Sequence, residues 1–169
     1  MGTPVRPFLT ARWRYLAMLN YEVPPEALLP LVPAGTELDS WQGKTFASVV
    51  GFLFLDTRVR GIAIPGHRDF EEVNLRFYVR RKVADGWRRG VVFVKEIVPR
   101  FAIASTARLL YGEKYVSLPM RHSVIGNPDS GDPTRGGLYV MYGWHFQGRW
   151  NGIGAVVGGA AKEAAPGSE

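Results

Sequence analysis

Hydrophobic and polar positions change rhythm along this chain in ways that separate strands from helices. Residues 10–23 (TARWRYLAMLNYEV) mix aromatic, aliphatic and arginine side chains and predict a strand. Pro24-Pro25-Glu26 then opens a short helix, since proline is tolerated at a first helical position where no amide donor is needed. Pro30 and Pro33 stop that helix within about two turns. Residues 46–56 (FASVVGFLFLD) are apolar on both faces, as in a strand covered on both sides. Residues 72–81 alternate sharply. Val73, Leu75, Phe77 and Val79 point one way, and Asn74, Arg76, Tyr78 and Arg80 the other.

Asp85-Gly86 predicts a hairpin turn into a strand over residues 91–98. Strict alternation there puts Lys95 with Val91, Phe93 and Ile97, and Glu96 with Val92, Val94 and Val98. The best helix falls on residues 99–111, where Ile103, Ala107 and Leu110 share a face, Pro99 marks the start and Gly112 suits the position after the end. Residues 115–122 read as a strand and residues 127–137 (NPDSGDPTRGG) as a turn-rich loop. Residues 138–146 and 150–157 form a final hairpin about Gln147-Gly148. Seven strands with two inserted helices make a β-rich α+β domain.

Composition narrows the function classes. A chain of 169 residues fits one domain able to bury roughly 70% of its unfolded surface. With 46% hydrophobic and 21% charged residues it is neither disordered nor collagen-like. The absence of cysteine excludes a disulfide framework, a thiolate metal site and a cysteine nucleophile. The segment from Met1 to Pro7 has no apolar core of signal-peptide length, and the longest apolar run, residues 46–55, is far short of the roughly 18 residues of a spanning helix. The expected location is cytoplasmic, with no membrane partner. The 21 basic and 15 acidic residues leave a net charge of +6, which raises the question of nucleic acid. Sixteen of the basic residues are arginines scattered along the chain, with no dense basic run, so the expectation is solvated or ion-paired strand faces and no nucleic-acid partner.

Two motif matches are decoys. His67-Arg68-Asp69, followed by Asn74, has the spacing of a kinase catalytic loop, but the glycine-rich loop, strand lysine and D-F-G segment of kinase chemistry are missing. Gly152, Gly154 and Gly158 have one residue too many for a dinucleotide fingerprint and no following helix and strand; a glycine-rich strand beside crowded backbone is expected instead. His67, His122 and His145 are too far apart for a local metal motif, so no metal or other cofactor is expected. Lys95, among apolar neighbours, is a candidate amine whose charged form loses solvation. Lys114, between Glu113 and Tyr115, is the second candidate; the plainer account makes it an exposed loop residue and Lys95 an edge or pore-lining one.

Three stretches together carry a family resemblance: FLTARWRYLAMLNYEVPPEALLPLVPAGTELDSWQGKTFASVVGFLFLDTRV, FEEVNLRFYVRR and RGVVFVKEIVPRFAIASTARLLYGEKYVSLPM. They resemble the YqjF-like bacterial proteins, a domain-of-unknown-function family grouped by fold with acetoacetate decarboxylase. The likeness is close over residues 8–122 and looser over the final hairpin. It implies a curved antiparallel sheet closed into a barrel around a small cavity, with short helices outside. In the decarboxylases a cavity lysine forms a Schiff base with a β-keto acid. Their paired-lysine segment falls on Tyr111-Gly112-Glu113-Lys114, where one lysine remains and Glu113 stands in place of the activating cation. A carboxylate at that position favours the charged amine. Their strand glutamate falls on or beside Glu72. The resemblance also implies further strands beyond the tail of residues 158–169, so the single domain spanning residues 1–169 is either a shortened member or a barrel lacking C-terminal strands, whose free edges favour a homo-oligomer.

The leading expectation is a small, acidic organic ligand held in the barrel, with Arg76, Tyr78 and Lys95 binding it. The alternatives are a Schiff-base lyase or hydrolase acting on a keto acid, with Lys114 as nucleophile and Glu72 as its proton-handling partner, and a non-catalytic oligomerisation or interaction domain.

Overall fold

Four long stretches of 13 or 14 residues run as antiparallel neighbours and set the plan of the molecule. In a computed structural model, residues 9–63, 65–99, 114–126 and 137–157 are described. In chain order the elements are β1 (Leu9–Glu22), α1 (Pro25–Leu28), a 3-10 turn (Leu29–Leu31), β2 (Glu37–Leu38), β3 (Phe46–Val59), β4 (Ile62–Ala63), β5 (Phe70–Val83) and β6 (Gly86–Val98). They continue with β7 (Tyr115–Ser117), β8 (Met120–Ile125), β9 (Leu138–Phe146) and β10 (Arg149–Val157). The larger sheet has the order β1-β3-β5-β6-β7, with β2 added to β5 and β4 to β3; the smaller has the order β10-β9-β8.

This corrects the sequence expectation in two respects. The molecule is mostly sheet rather than α+β, because among the described residues the helical ones are the four of α1 and the three of the 3-10 turn. Nor is one sheet closed into a barrel among those residues: the strands divide between two sheets. The division runs through the stretch expected as a single strand over residues 115–122. Pro119 has no amide hydrogen and cannot continue the ladder. Leu118 still donates to Val98 of the larger sheet (3.1 Å), while the Pro119 carbonyl already accepts from His145 of the smaller one (2.9 Å). The helix expected over residues 99–111 and the loop over residues 127–137 fall largely on residues 100–113 and 127–136, outside the described residues.

Cross-strand partners share a face, so the register sorts every side chain of the larger sheet. One face carries Ala17, Leu53 and Val73, which pack against Val140, Tyr142 and Ile153 of the smaller sheet. Further along the same face, Ala47, Phe77 and Val79 pack beneath Leu28 of α1. Gly51 lets the two sheets meet: a Cβ there would lie 2.5 Å from Cδ2 of Tyr142. The Tyr142 hydroxyl donates to the carbonyl of Tyr15 (2.7 Å), which sits in a β1 bulge with φ at +57°. The glycine-rich β10 is crowded by backbone as expected, a Cβ at Gly154 meeting the Val140 carbonyl at 3.0 Å.

On β6 the strict alternation read from sequence fails. Leu75 pairs with Lys95 but Arg76 pairs with Phe93, so Val94 is an extra residue in the ladder. A one-residue bulge exchanges the faces of everything beyond it. Lys95 and Ile97 therefore share the packed face with Val92, while Val91 and Phe93 join Glu96 and Val98 on the opposite one.

Candidate functional site

The face turned away from the smaller sheet has an aromatic end and a polar row. At the aromatic end Phe52, Phe54 and Phe70 cluster with Val50 and Val98, and the Trp13 ring lies 4.6 Å from that of Phe52. From there β5 places Glu72, Asn74, Arg76 and Tyr78 in succession on this face, opposite Phe52, Val50 and Ser48 of β3 and opposite Glu96, Phe93 and Val91 of β6. Two hydrogen-bonded groups divide the row.

The first is buried. Glu72, Asn74 and Glu96 are 2%, 2% and 3% exposed. The Asn74 amide donates to one oxygen of Glu72 (3.2 Å), and the Tyr115 hydroxyl donates to the other (3.1 Å). Asn74 Oδ1 has no hydrogen-bond partner among the described residues.

The second group lies beside an open cavity of about 480 Å³ lined by Met18, Asn20, Asp39, Trp41, Phe46, Tyr78, Arg89 and Val91, among others. Ser48, fully buried beneath it, donates to Asn20 Oδ1 (2.5 Å) and lies 2.6 Å from the Tyr78 hydroxyl. A serine hydroxyl has one proton, so with that proton on Asn20 the Tyr78 hydroxyl donates to Ser48. The Asn20 amide nitrogen is left with its donors for an outside acceptor. Arg76 sits next to this relay, one nitrogen 3.6 Å from the Met18 sulfur and its buried Nε without a partner among the described residues.

One side of the cavity is closed by Arg89, which donates to the buried carboxylate of Asp39 (2.5 Å). Next to Asp39 the chain folds into a tight hairpin. Trp41 and Lys44 exchange backbone hydrogen bonds of 2.9 and 3.0 Å, with Gln42 at φ +52° and Gly43 at φ +78° between them. Positive φ at both central residues is the turn geometry that suits strand twist, and Gly43 adopts it without a Cβ penalty. The hairpin is tied at its far end by Lys44 to Glu22 (2.7 Å).

The structure brings together three of the residues singled out from the sequence: Glu72, Arg76 and Tyr78 occupy one face of one strand. Lys95 lies on the other face, exposed, with its ammonium 5.4 Å from the centre of the Phe146 ring. Lys114 is exposed just before β7. Its carbonyl accepts from the Glu96 amide (3.2 Å), and the next residue, Tyr115, is the partner of Glu72. The histidines go to different places: His67 to the Pro65 carbonyl, His122 to Glu71 (3.1 Å), and His145 edge-on to Trp150.

Sequence periodicity missed Asn20, Ser48 and Trp41. Ser48 left a trace, as the one polar side chain in the apolar run of residues 46–55. Asn20 and Trp41 left none, since each meets the site only through pairing or a turn between distant segments.

Residues 10–169 match the family DUF2071, described as an uncharacterized conserved protein. Over 75 residues the chain is 36% identical to the uncharacterized protein YqjF of Bacillus subtilis, a match covering 44% of this chain and 31% of that one. Among solved structures, an acetoacetate decarboxylase-like enzyme from Sphingomonas wittichii aligns with a TM-score of 0.62 at 18% identity, covering 92% of this chain and 58% of the other. The enduracididine biosynthesis enzyme MppR, in complex with pyruvate, aligns with a TM-score of 0.62 at 14% identity, over 89% and 58% of the two chains. Acetoacetate decarboxylase from Legionella pneumophila aligns with a TM-score of 0.54 at 15% identity, over 89% and 52%. These likenesses show the fold. The chain thus spans about a third of its curated relative and a little over half of each solved structure.

Proposed function

This chain belongs to the DUF2071 family of uncharacterized conserved proteins, and from that premise we propose that it binds a small, acidic organic ligand on the polar face of its larger sheet. The observation that carries the proposal is the donor pattern beside the cavity. The relay from Tyr78 through Ser48 to Asn20 leaves amide donors over, and the Arg76 guanidinium stands just behind the cavity wall, against Met18. Donors without acceptors in a largely apolar recess suit a carboxylate, and the guanidinium–carboxylate pair is among the stronger polar contacts available. The pyruvate held by MppR is a molecule of this class.

Calorimetric titration with pyruvate and phenylpyruvate checks the proposal. Arg76→Ala is expected to weaken binding by about tenfold or more, the range for a charge-assisted hydrogen bond. Lys95→Ala, on the opposite face, should leave it unchanged. Absence of binding by both acids, or an Arg76→Ala variant that binds as well as the parent, sinks the idea.

A second reading rests on the family resemblance, which sets Lys114 as the cavity amine, in the chain just before Tyr115, the partner of Glu72. In it the Lys114 amine adds to a keto acid, water leaves, and Glu72 handles the proton. Borohydride reduces such an imine to a stable secondary amine. Pyruvate with borohydride should then leave an adduct on Lys114 by peptide mass spectrometry, absent from Lys114→Ala; an unmodified Lys114 excludes it.

A further inference from the structure

The polar floor accounts for only one end of the cavity. Apart from the side closed by the Arg89–Asp39 pair, its remaining wall is apolar and aromatic: Met18, Trp41, Phe46 and Val91, with the ring of Tyr78 at the boundary. A space of about 480 Å³ falls in the range that holds drug-sized molecules and far exceeds the needs of a three-carbon acid. Trp41 is the telling member. It is 49% exposed, although hairpins more often turn a polar residue outward. The hairpin fixes it on the cavity wall, its ring centre 6.5 Å from that of Phe46 and tilted at 59°. Two rings so inclined offer a third planar ring both a face and an edge, the arrangements that the aromatic quadrupole favours. The thioether of Met18 adds a polarizable contact on the same wall.

We infer that the ligand is an aromatic carboxylic acid, its ring seated against Trp41 and Phe46 and its carboxylate turned to Asn20 and Arg76. This rests on the acidic-ligand reading above and adds the class of molecule. Trp41 is then the specificity-determining residue of the site. The backbone pairing of Trp41 with Lys44 fixes the hairpin that carries the indole before the ligand arrives, so no backbone has to be ordered on binding.

The test compares pyruvate, phenylpyruvate and neutral 3-phenylpropan-1-ol by calorimetry on the full chain. Phenylpyruvate is expected to bind about tenfold tighter than pyruvate, the gain for covering one ring against aromatic partners. Trp41→Ala should remove that advantage, bringing phenylpyruvate to the affinity the same variant shows for pyruvate, and Trp41→Phe should keep most of it. The side chain lies outside the three buried clusters, and circular dichroism of the variant confirms that the sheets remain. Equal affinity of the two keto acids, or an unaffected Trp41→Ala variant, overturns the aromatic seat while the acidic-ligand reading stands. If the alcohol binds as tightly as phenylpyruvate, the acidic-ligand reading fails and the ring seat survives. If neither acid binds, both are lost.

Discussion

Tyr142 is fully buried against Gly51, and its hydroxyl holds the carbonyl of Tyr15 at a point where β1 bulges. Burial, reinforced by the negative charge of Glu71 and by Tyr15, pushes its ionisation well above the ordinary tyrosine range. Below the unfolded value near pH 10 both states keep the proton and stability is unaffected. Above it the unfolded chain releases the proton while the native one retains it, so stability falls as pH rises. Tyr142→Phe removes that slope. At pH 8 the variant should be less stable by about 1 kcal/mol, the net worth of a lost hydrogen bond. Urea unfolding repeated near pH 10.5 should show the gap narrowed; a gap that stays constant would mean the phenol ionises normally. Asp56 titrates in the opposite sense. The Arg58 hydrogen bond holds its carboxyl below the usual range, so its contribution is present above the unfolded value and is lost in acid.

The strands themselves differ in how readably their faces are written. On β5 the sequence alternation survives intact, so Arg76 and Tyr78, read from it, share one face with Glu72, which the family resemblance singled out. On β6 the extra residue Val94 inverts the pattern, and Lys95 crosses to the packed side. Val94 is β-branched and apolar like its neighbours, so no local chemistry announces the bulge. Hydrogen bonding to Arg76 and Leu75 decides it, and that is a property of the pair of strands rather than of either one. The break before β8 has a signal in Pro119 that the single-strand reading of residues 115–122 passed over, and its consequence, transfer to another sheet, has none. The cavity wall was the least readable part. Asn20, Ser48 and Tyr78 are 28 to 58 positions apart and meet only through strand pairing. Close approach between elements sets a further constraint at Gly51. Gly51→Ala places a methyl group inside the Tyr142 ring, which its hydroxyl bond prevents from swinging away. Overpacking of this kind should cost about 1–3 kcal/mol in chemical denaturation. An unchanged midpoint would show that the sheets can part slightly.

For the whole molecule the decisive feature is that one apolar cluster is shared by both sheets. Leu53, Val73 and Ala17 come from the larger, and Val140, Tyr142 and Ile153 from the smaller. Neither sheet buries this face alone. Leu53→Ala should therefore destabilise the protein by about 2–5 kcal/mol, mostly through the cavity it leaves. Melting should remain a single transition at a lower temperature, by roughly 2–4 °C for each kcal/mol in a chain of this size. Two separate transitions by calorimetry would instead mean that the sheets fold as independent units.

The two faces of β5 also set how this chain is free to diverge. Of its odd-numbered positions, Glu71, Val73, Phe77 and Val79 join the sheets and α1, while the even-numbered positions from Glu72 to Tyr78 carry the polar row. A lineage adopting a new ligand has Arg76 and Tyr78 at its disposal without disturbing the contacts that keep the fold. A lineage adapting to heat can remodel Val73 and Phe77 without altering what is bound. Selection for recognition and selection for stability thus act on alternate letters of the same short word.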